Sequence, residues 1–243
     1  MMNYFRIAAA CGIVAALWLS ACKSSTTSPE QPADLMPLAQ GNYWVYVVYQ
    51  LDSTGQRVGT PTYDSVVVAA AIQLAGRQAY PVHTIHQDGT RDTAYFSKDA
   101  DGTVWQYTTL SGAAEFGLPD IPPRWIKVIA GGTVSSWPVI DTSLTIQVPG
   151  VPIPLSIQLK VTGSKAGTET ITISGKSYSA QKFSQNLTAT IAGNIGSANG
   201  TITDWYVAGI GRAQSRSTLK VVFGGATADQ SGSESVLVRY RVQ

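Results

Sequence analysis

From Asn42 to the C-terminus, short bursts of β-branched and aromatic residues recur, and each is cut off by Gly, Asp, Asn or Ser before any apolar stripe of helical spacing can develop. Segments of this kind send successive side chains to opposite faces and read as strands joined by tight turns. The opening burst is Tyr43-Trp44-Val45-Tyr46-Val47-Val48-Tyr49, turned at Asp52-Ser53-Thr54-Gly55. Further strands are predicted over 63–72, 79–86, 93–97, 103–108, 125–129, 143–148, 155–162, 168–174, 178–192, 201–207, 212–223 and 234–242. Because the connections are short, neighbouring strands should pair as antiparallel hairpins. The expected fold is therefore all-β, a single antiparallel curved sheet forming a half-barrel or open barrel. Composition supports this, since charged residues make up 13% of the chain against roughly 25% in an ordinary soluble domain. Long surface helices laced with ion pairs have too little material.

The N-terminus reads as an address. Arg6 precedes an apolar run from Ile7 to Leu19, which is too short to cross a bilayer comfortably and suits a secretory signal. Leu19-Ser20-Ala21-Cys22 resembles the lipobox of bacterial lipoproteins. That resemblance implies cleavage between Ala21 and Cys22 and a diacylglyceryl thioether on Cys22. Acyl chains attached there would tether the protein to a membrane without spanning it. Cys11 would leave with the signal, so the mature chain would hold no thiol for a disulfide or a nucleophile. Residues 22–37, rich in Ser, Thr and Pro, are expected to form a flexible tether ahead of a β domain over 38–243. Lys23, where an Asp would favour retention at the inner membrane, points to the outer membrane, on either its periplasmic or its surface side.

Several chemistries lack support in the sequence. A net charge of +2, from 17 Lys and Arg against 15 Asp and Glu, makes no case for nucleic acid. His83 and His86 are the two histidines, and their spacing sends them to opposite faces of a strand, so neither a shared metal nor an imidazole base is expected. Asp99-Ala100-Asp101-Gly102 has the front half of a calcium loop but lacks the acid that would close it, and reads as a hairpin turn. Gly175-Lys176-Ser177 and Gly209-Ile210-Gly211 imitate nucleotide-binding turns without the helix those need. No cofactor and no enzymatic activity are expected. A weaker hydrolase reading would draw its acids from Asp92, Asp120, Asp141 and Asp204.

Aromatic residues are what remains. Trp44, Trp105, Trp125, Trp205 and Tyr206 are candidates for a ligand-contacting face, with core packing as the alternative use of the same side chains. Two stretches, 72–80 and 171–178, share a strand, a small residue, Gly, a basic residue and Tyr, which suits either a worn repeat or two similar hairpin turns. The stretches Leu110 to Pro123 and Val148 to Leu155 are proline-punctuated and read as a long loop and an edge or hairpin tip.

Pro37-Leu38-Ala39-Gln40-Gly41-Asn42-Tyr43-Trp44 after a lipobox, Tyr95 to Tyr107 with its Asp-Gly turn, and Trp205-Tyr206-Val207-Ala208-Gly209-Ile210-Gly211 together resemble a family of uncharacterised lipoproteins from Bacteroidota and related bacteria. The last element is similar to the YxxGVG signature of domains allied to the DUF3108 and TapB-like groups, with Ile210 in place of Val. Ala213 and Gln214 depart from the usual apolar residue and Lys. The resemblance implies a curved antiparallel sheet comparable to the half-barrels of lipoprotein carriers. The expected function is a non-enzymatic, lipid-anchored binding or structural module of the cell envelope. The alternative is a carrier or chaperone of acylated or hydrophobic cargo that uses the concave sheet face. Expected partners are the membrane, through Cys22, and a hydrophobic ligand or an envelope protein.

Overall fold

The computed structural model describes residues 33–108, 122–146, 154–191, 193 and 195–243. The signal segment, Ala21, Cys22, Asp120 and most of the two proline-punctuated stretches lie outside the described residues. The strands are β1 (Tyr43–Leu51), β2 (Arg57–Val68), β3 (Ile72–Leu74), β4 (Arg77–Ile85), β5 (Arg91–Lys98), β6 (Val104–Thr108), β7 (Arg124–Ile129), β8 (Ser136–Ile146), β9 (Leu155–Ile173), β10 (Lys176–Ile191), β11 (Gly196–Val207), β12 (Gly211–Phe223) and β13 (Ala226–Arg241).

They form one antiparallel sheet in the order β7-β6-β5-β4-β2-β1-β13-β12-β11-β10-β9-β8, with β3 paired to β4. The chain starts in the middle of this order, at β1, and returns to it with β13, so first and last strands pair from Tyr43↔Arg241 to Leu51↔Gly232. The sheet curls until its two edges, β7 and β8, meet. They share no ladder; the Trp137 indole N–H donates instead to the Lys127 carbonyl at 3.0 Å. The result is a barrel with a seam, the open-barrel form of the expected all-β sheet.

Packing explains the curl. One buried cluster gathers Leu38, Trp44, Tyr46, Val68, Val82, Val207, Ile210 and Leu237, and another gathers Val104, Ile129, Trp137, Phe183 and Tyr206. The second joins strands from both sides of the seam. Phe183 stands between Trp137 and Tyr206 with edge-on ring contacts at 6.3 and 5.8 Å, the arrangement aromatic quadrupoles favour.

One sequence expectation needs correcting. Strand β9 runs unbroken through Gly163-Ser164-Lys165-Ala166-Gly167, where the sequence suggests a break. A Cβ on Gly163 would stand 2.3 Å from Trp137 Cε2, so this glycine makes room for the indole that bridges the seam. Residues ahead of Leu38 also contact the sheet. Asp34 accepts from Lys98 at 2.7 Å and offers its carbonyl to the Gly209 N–H at 2.8 Å. Leu35 and Met36, the first large apolar side chains after the Ser-rich stretch, pack against the buried clusters.

The stretches 72–80 and 171–178 are two similar turns. Ala75 and Gly76 have φ of 45° and 78°, and Ser174 and Gly175 have 49° and 81°, which is the type I′ pattern of a two-residue hairpin.

Candidate functional site

The concave side of the sheet encloses a cavity of about 310 Å³. Its apolar lining includes Met36, Leu38, Trp44, Val66, Val82, Phe96 and Val128, and its polar lining includes Gln106, Gln185, Tyr46, Tyr206, Asp204 and Arg212. The volume sits at the lower end of the range for small-molecule sites.

Trp44 and the turn before Gly211 line one part of this cavity. Trp44 donates its indole N–H to the Ile210 carbonyl at 2.6 Å. Gly211, at φ 107°, lies so close that an added Cβ would be 3.3 Å from Trp44 Nε1, and the positive φ independently favours glycine there. Asn42 is 0% exposed. Its amide donates to the Pro37 carbonyl at 3.0 Å and accepts from the Gln243 N–H at 2.9 Å, so it ties the entering and leaving chain ends together. The stretch from Tyr206 to Gly211 is thus a turn shaped to receive Trp44.

Asp204 and Arg212 face each other inside the cavity. Asp204 is 9% exposed, and its Oδ1 makes no hydrogen bond. Arg212 Nη1 stands 3.8 Å from that oxygen, outside hydrogen-bond range. Arg212 borders the cavity, and 42% of its side chain is accessible to solvent. Tyr46 donates its hydroxyl to the Arg212 carbonyl at 2.8 Å and lies under the guanidinium, 5.6 Å from ring centre to Cζ. Burial pushes the Asp204 carboxyl above the usual range, opposed by Arg212. Burial also raises the Tyr206 phenol, and the Asp204 charge adds to it. For Arg212 burial works against the charge, but Asp204 and the phenols of Tyr46 and Tyr206 outweigh it, so the guanidinium stays protonated.

The apolar lining continues beyond the cavity. Ile202, which lines it, is 43% exposed. At alternate positions along β11, Gly200 sits between Leu187 and Leu219, and Ala198 between Ala189 and Val221. Val161 and Leu159 extend these rows on β9. The opposite face carries Lys160, Thr188, Asn199 and Lys220 in one row.

The five candidate aromatics do not share a face. Trp44 and Tyr206 line the cavity. Trp105 and Trp125 alternate with Gln106 and Val128 and lie on the convex side, where the Arg77 guanidinium is 4.5 Å and 6.0 Å from their ring centres. Tyr107 packs on Trp125 at 5.2 Å. Trp205, also turned away from Asp204, donates to Glu169 at 2.9 Å beneath Lys182. Trp205, followed by Lys182, holds the Glu169 carboxyl below its usual value.

Other polar groups are consumed locally. The Asp99 carboxylate accepts from Arg77 and Trp105, and the Asp101 carboxylate accepts from the Thr103 N–H, so the Asp99–Thr103 stretch is a hairpin turn. His86 lies 2.9 Å from both Asp64 and Asp92, while His83, on the other face of β4, meets Thr93 at 2.9 Å. Of the acids in the hydrolase reading, Asp92 is held by His86 and Asp141 lies across from Lys160 in the β8–β9 ladder. Among the described residues no group of three His, Cys, Asp or Glu side chains is placed to hold a metal ion. A wider, shallow groove of about 520 Å³ lies on the outer side beside Asp34. Its charges satisfy one another, with Lys98 on Asp34 and Arg77 on Asp99. Sequence reasoning missed Arg212 as a site residue. The available signal was a single acid and a single base flanking an apolar turn, Asp204 and Arg212 around Trp205 to Gly211.

No family model matches the chain, and no curated protein matches it. Among solved structures, it is similar to a protein from Parabacteroides distasonis assigned as a lipoprotein, at 14% identity and a TM-score of 0.48, covering 86% of this chain and 99% of that one. It is similar also to an assigned exported protein with a YmcC-like fold from Bacteroides fragilis, at 12% identity and a TM-score of 0.41, covering 86% and 99%. The hypothetical lipoprotein YmcC of Escherichia coli shares 17% identity at a TM-score of 0.35, covering 86% and 90%.

Proposed function

We propose that this chain is a non-enzymatic module of the bacterial cell envelope, anchored to the outer membrane by acyl chains on Cys22, that binds a small hydrophobic ligand within its curled sheet. The observation that carries this reading is the cavity of about 310 Å³ behind Trp44, with Met36, Val66, Val82, Phe96 and Val128 in its wall and an opening onto Ile202. A domain with a purely mechanical role has no need of such a space, because unfilled volume in a core is destabilising. The affinity to the DUF3108 and TapB-like groups belongs to the same reading and rests on the Tyr206 to Gly211 motif. The lipobox and Lys23 support the anchor and the outer membrane.

Native mass spectrometry of the protein extracted from envelopes tests the ligand, and fractionation of a Cys22→Ser variant tests the anchor. Co-purifying lipid, lost when the cavity is filled by Ile202→Trp, is the expected result. Protein that stays bare in every extract would overturn ligand binding, and a membrane-bound Cys22→Ser variant would overturn the anchor. The carrier reading uses the same cavity and is favoured by the apolar rows that run from Ile202 onto Leu187 and Leu219. A carrier would pass its lipid to acceptor vesicles within minutes, and a fixed binding module would retain it.

A further inference from the structure

We infer that the cavity selects single-chain amphiphiles with an anionic headgroup, a carboxylate or phosphate monoester, and that Arg212 is the residue that reads the charge. This inference rests on the ligand-binding reading above and names its ligand class. Arg212 lines the cavity, and 42% of its side chain is accessible to solvent. Its one facing acid stands 3.8 Å away, and the acid's Oδ1 makes no hydrogen bond.

A charge pair kept for stability alone would be expected to close. Guanidinium and carboxylate dock through parallel hydrogen bonds of about 2.7–2.9 Å, and a buried pair that falls short of this recovers little of its desolvation cost. Here the guanidinium does not close on Asp204; its side-chain partner is the Tyr46 hydroxyl, which also donates to the Arg212 carbonyl at 2.8 Å. An oxyanion placed on the cavity side of Arg212 would meet the N–H donors not turned to Tyr46, and a site lined in part by apolar side chains makes each charge-assisted bond count for more than in bulk water.

The remainder of the ligand follows from the walls. Met36, Val66, Val82, Phe96 and Val128 form an apolar wall along which an alkyl chain can lie without leaving a polar group unpaired, while Thr84, Gln106 and Gln185 line the same cavity. Such a chain need not end there. It can continue past Ile202 onto the Leu187 and Leu219 rows, whose outermost member, Leu219, is 38% exposed. Asp204 acts through Arg212 as a positioning residue that also competes with the ligand for the guanidinium.

The test uses the mature chain carrying Cys22→Ser, which removes the protein's own acyl groups as competitors, and isothermal titration with dodecanoate, dodecyl phosphate and dodecanol below their aggregation limits. At least one anionic probe is expected to bind about tenfold or more tighter than the alcohol, the discrimination a charged hydrogen bond supplies. Arg212→Gln should reduce that probe to the level of the alcohol, Arg212→Lys should keep part of the preference, and Asp204→Asn should tighten anion binding. A preference for dodecanoate would point to free fatty acid, and one for dodecyl phosphate to a lipid phosphate. Equal binding of alcohol and anions by the unsubstituted protein overturns the headgroup inference and leaves hydrophobic ligand binding standing. Failure of all probes overturns both. Because the comparison between probes is made on the unsubstituted residue 212, it holds even if a variant at that position does not fold.

Discussion

Strands β3–β7 and strands β8–β13 share one sheet but are held in different ways. The first group is short, and its longest member, β4, has 9 residues against 19 in β9, or about 31 Å against about 65 Å at the usual rise per residue. On the short side, turns are stapled by their own Asp side chains, and Arg77 is stacked between Trp105 and Trp125. On the long side, Ser, Thr and Gly alternate with modest aliphatics, and the ladders themselves do most of the holding. The difference shows how a barrel can have a lining longer than its wall. Short strands close the cavity on one side, and long strands carry the same apolar face beyond it.

The largest expected effect comes from the residue that joins the two sides at the closed end. Trp44→Ala would remove a buried indole and its bond to Ile210, and should lower unfolding free energy by about 3–5 kcal/mol in urea titrations. A smaller loss would mean that the closed end is sealed by the Asn42 contacts alone. Next is Gly163→Val, which forces Trp137 from its place and should cost about 1–3 kcal/mol by overpacking. Combining it with Trp137→Phe should recover part of that loss, because the two sites share one space. Additive losses would show that the Gly163–Trp137 contact does not control the seam. On the short side, Arg77→Ala removes a guanidinium stacked on two rings and paired with Asp99, and about 1 kcal/mol is expected. A loss rivalling that at Gly163 would erase the contrast between the two sides.

How much of this could be read in the sequence varies by region for physical reasons. Strand β1 was legible because its burst of aromatics and valines is continuous and its turn carries Asp and Gly in the required places. The turns at 75–76, 101–102 and 174–175 were legible on the same local grounds. The middle of β9 was not, since Gly163 to Gly167 has little strand propensity of its own and is held extended by ladders from β8 and β10. Propensity gives way to such non-local pairing. Alternation along a strand separates Trp105 from Gln106, but which face becomes concave depends on how the sheet curls. That curl requires β7 to find β8, and no local pattern encodes the meeting. The same applies to Arg212, whose charge is plain in the sequence and whose enclosure is not.

The smallest effect expected lies at the histidines of the short side and is read through pH. His86 is held by Asp92 and, next in weight, by Asp64, and both raise its pKa above the ordinary value. A group raised on folding adds stability that is complete below its unfolded pKa, about 6.5, and that fades as pH rises through the higher folded value. His83 is shifted the other way, first by burial and then by Arg91. Its contribution is present above the unfolded value and fades as pH falls through the lower folded one. The two therefore oppose each other in sign but act in adjoining windows, His86 on the alkaline side of about 6.5 and His83 on the acid side. Melting temperatures measured in half-unit steps should fall on the alkaline side for the natural chain, stay level there for His86→Gln, and keep the alkaline fall for His83→Gln. If His86→Gln kept that fall, the contacts with Asp64 and Asp92 would be too weak to fasten the end of β4 to its neighbours.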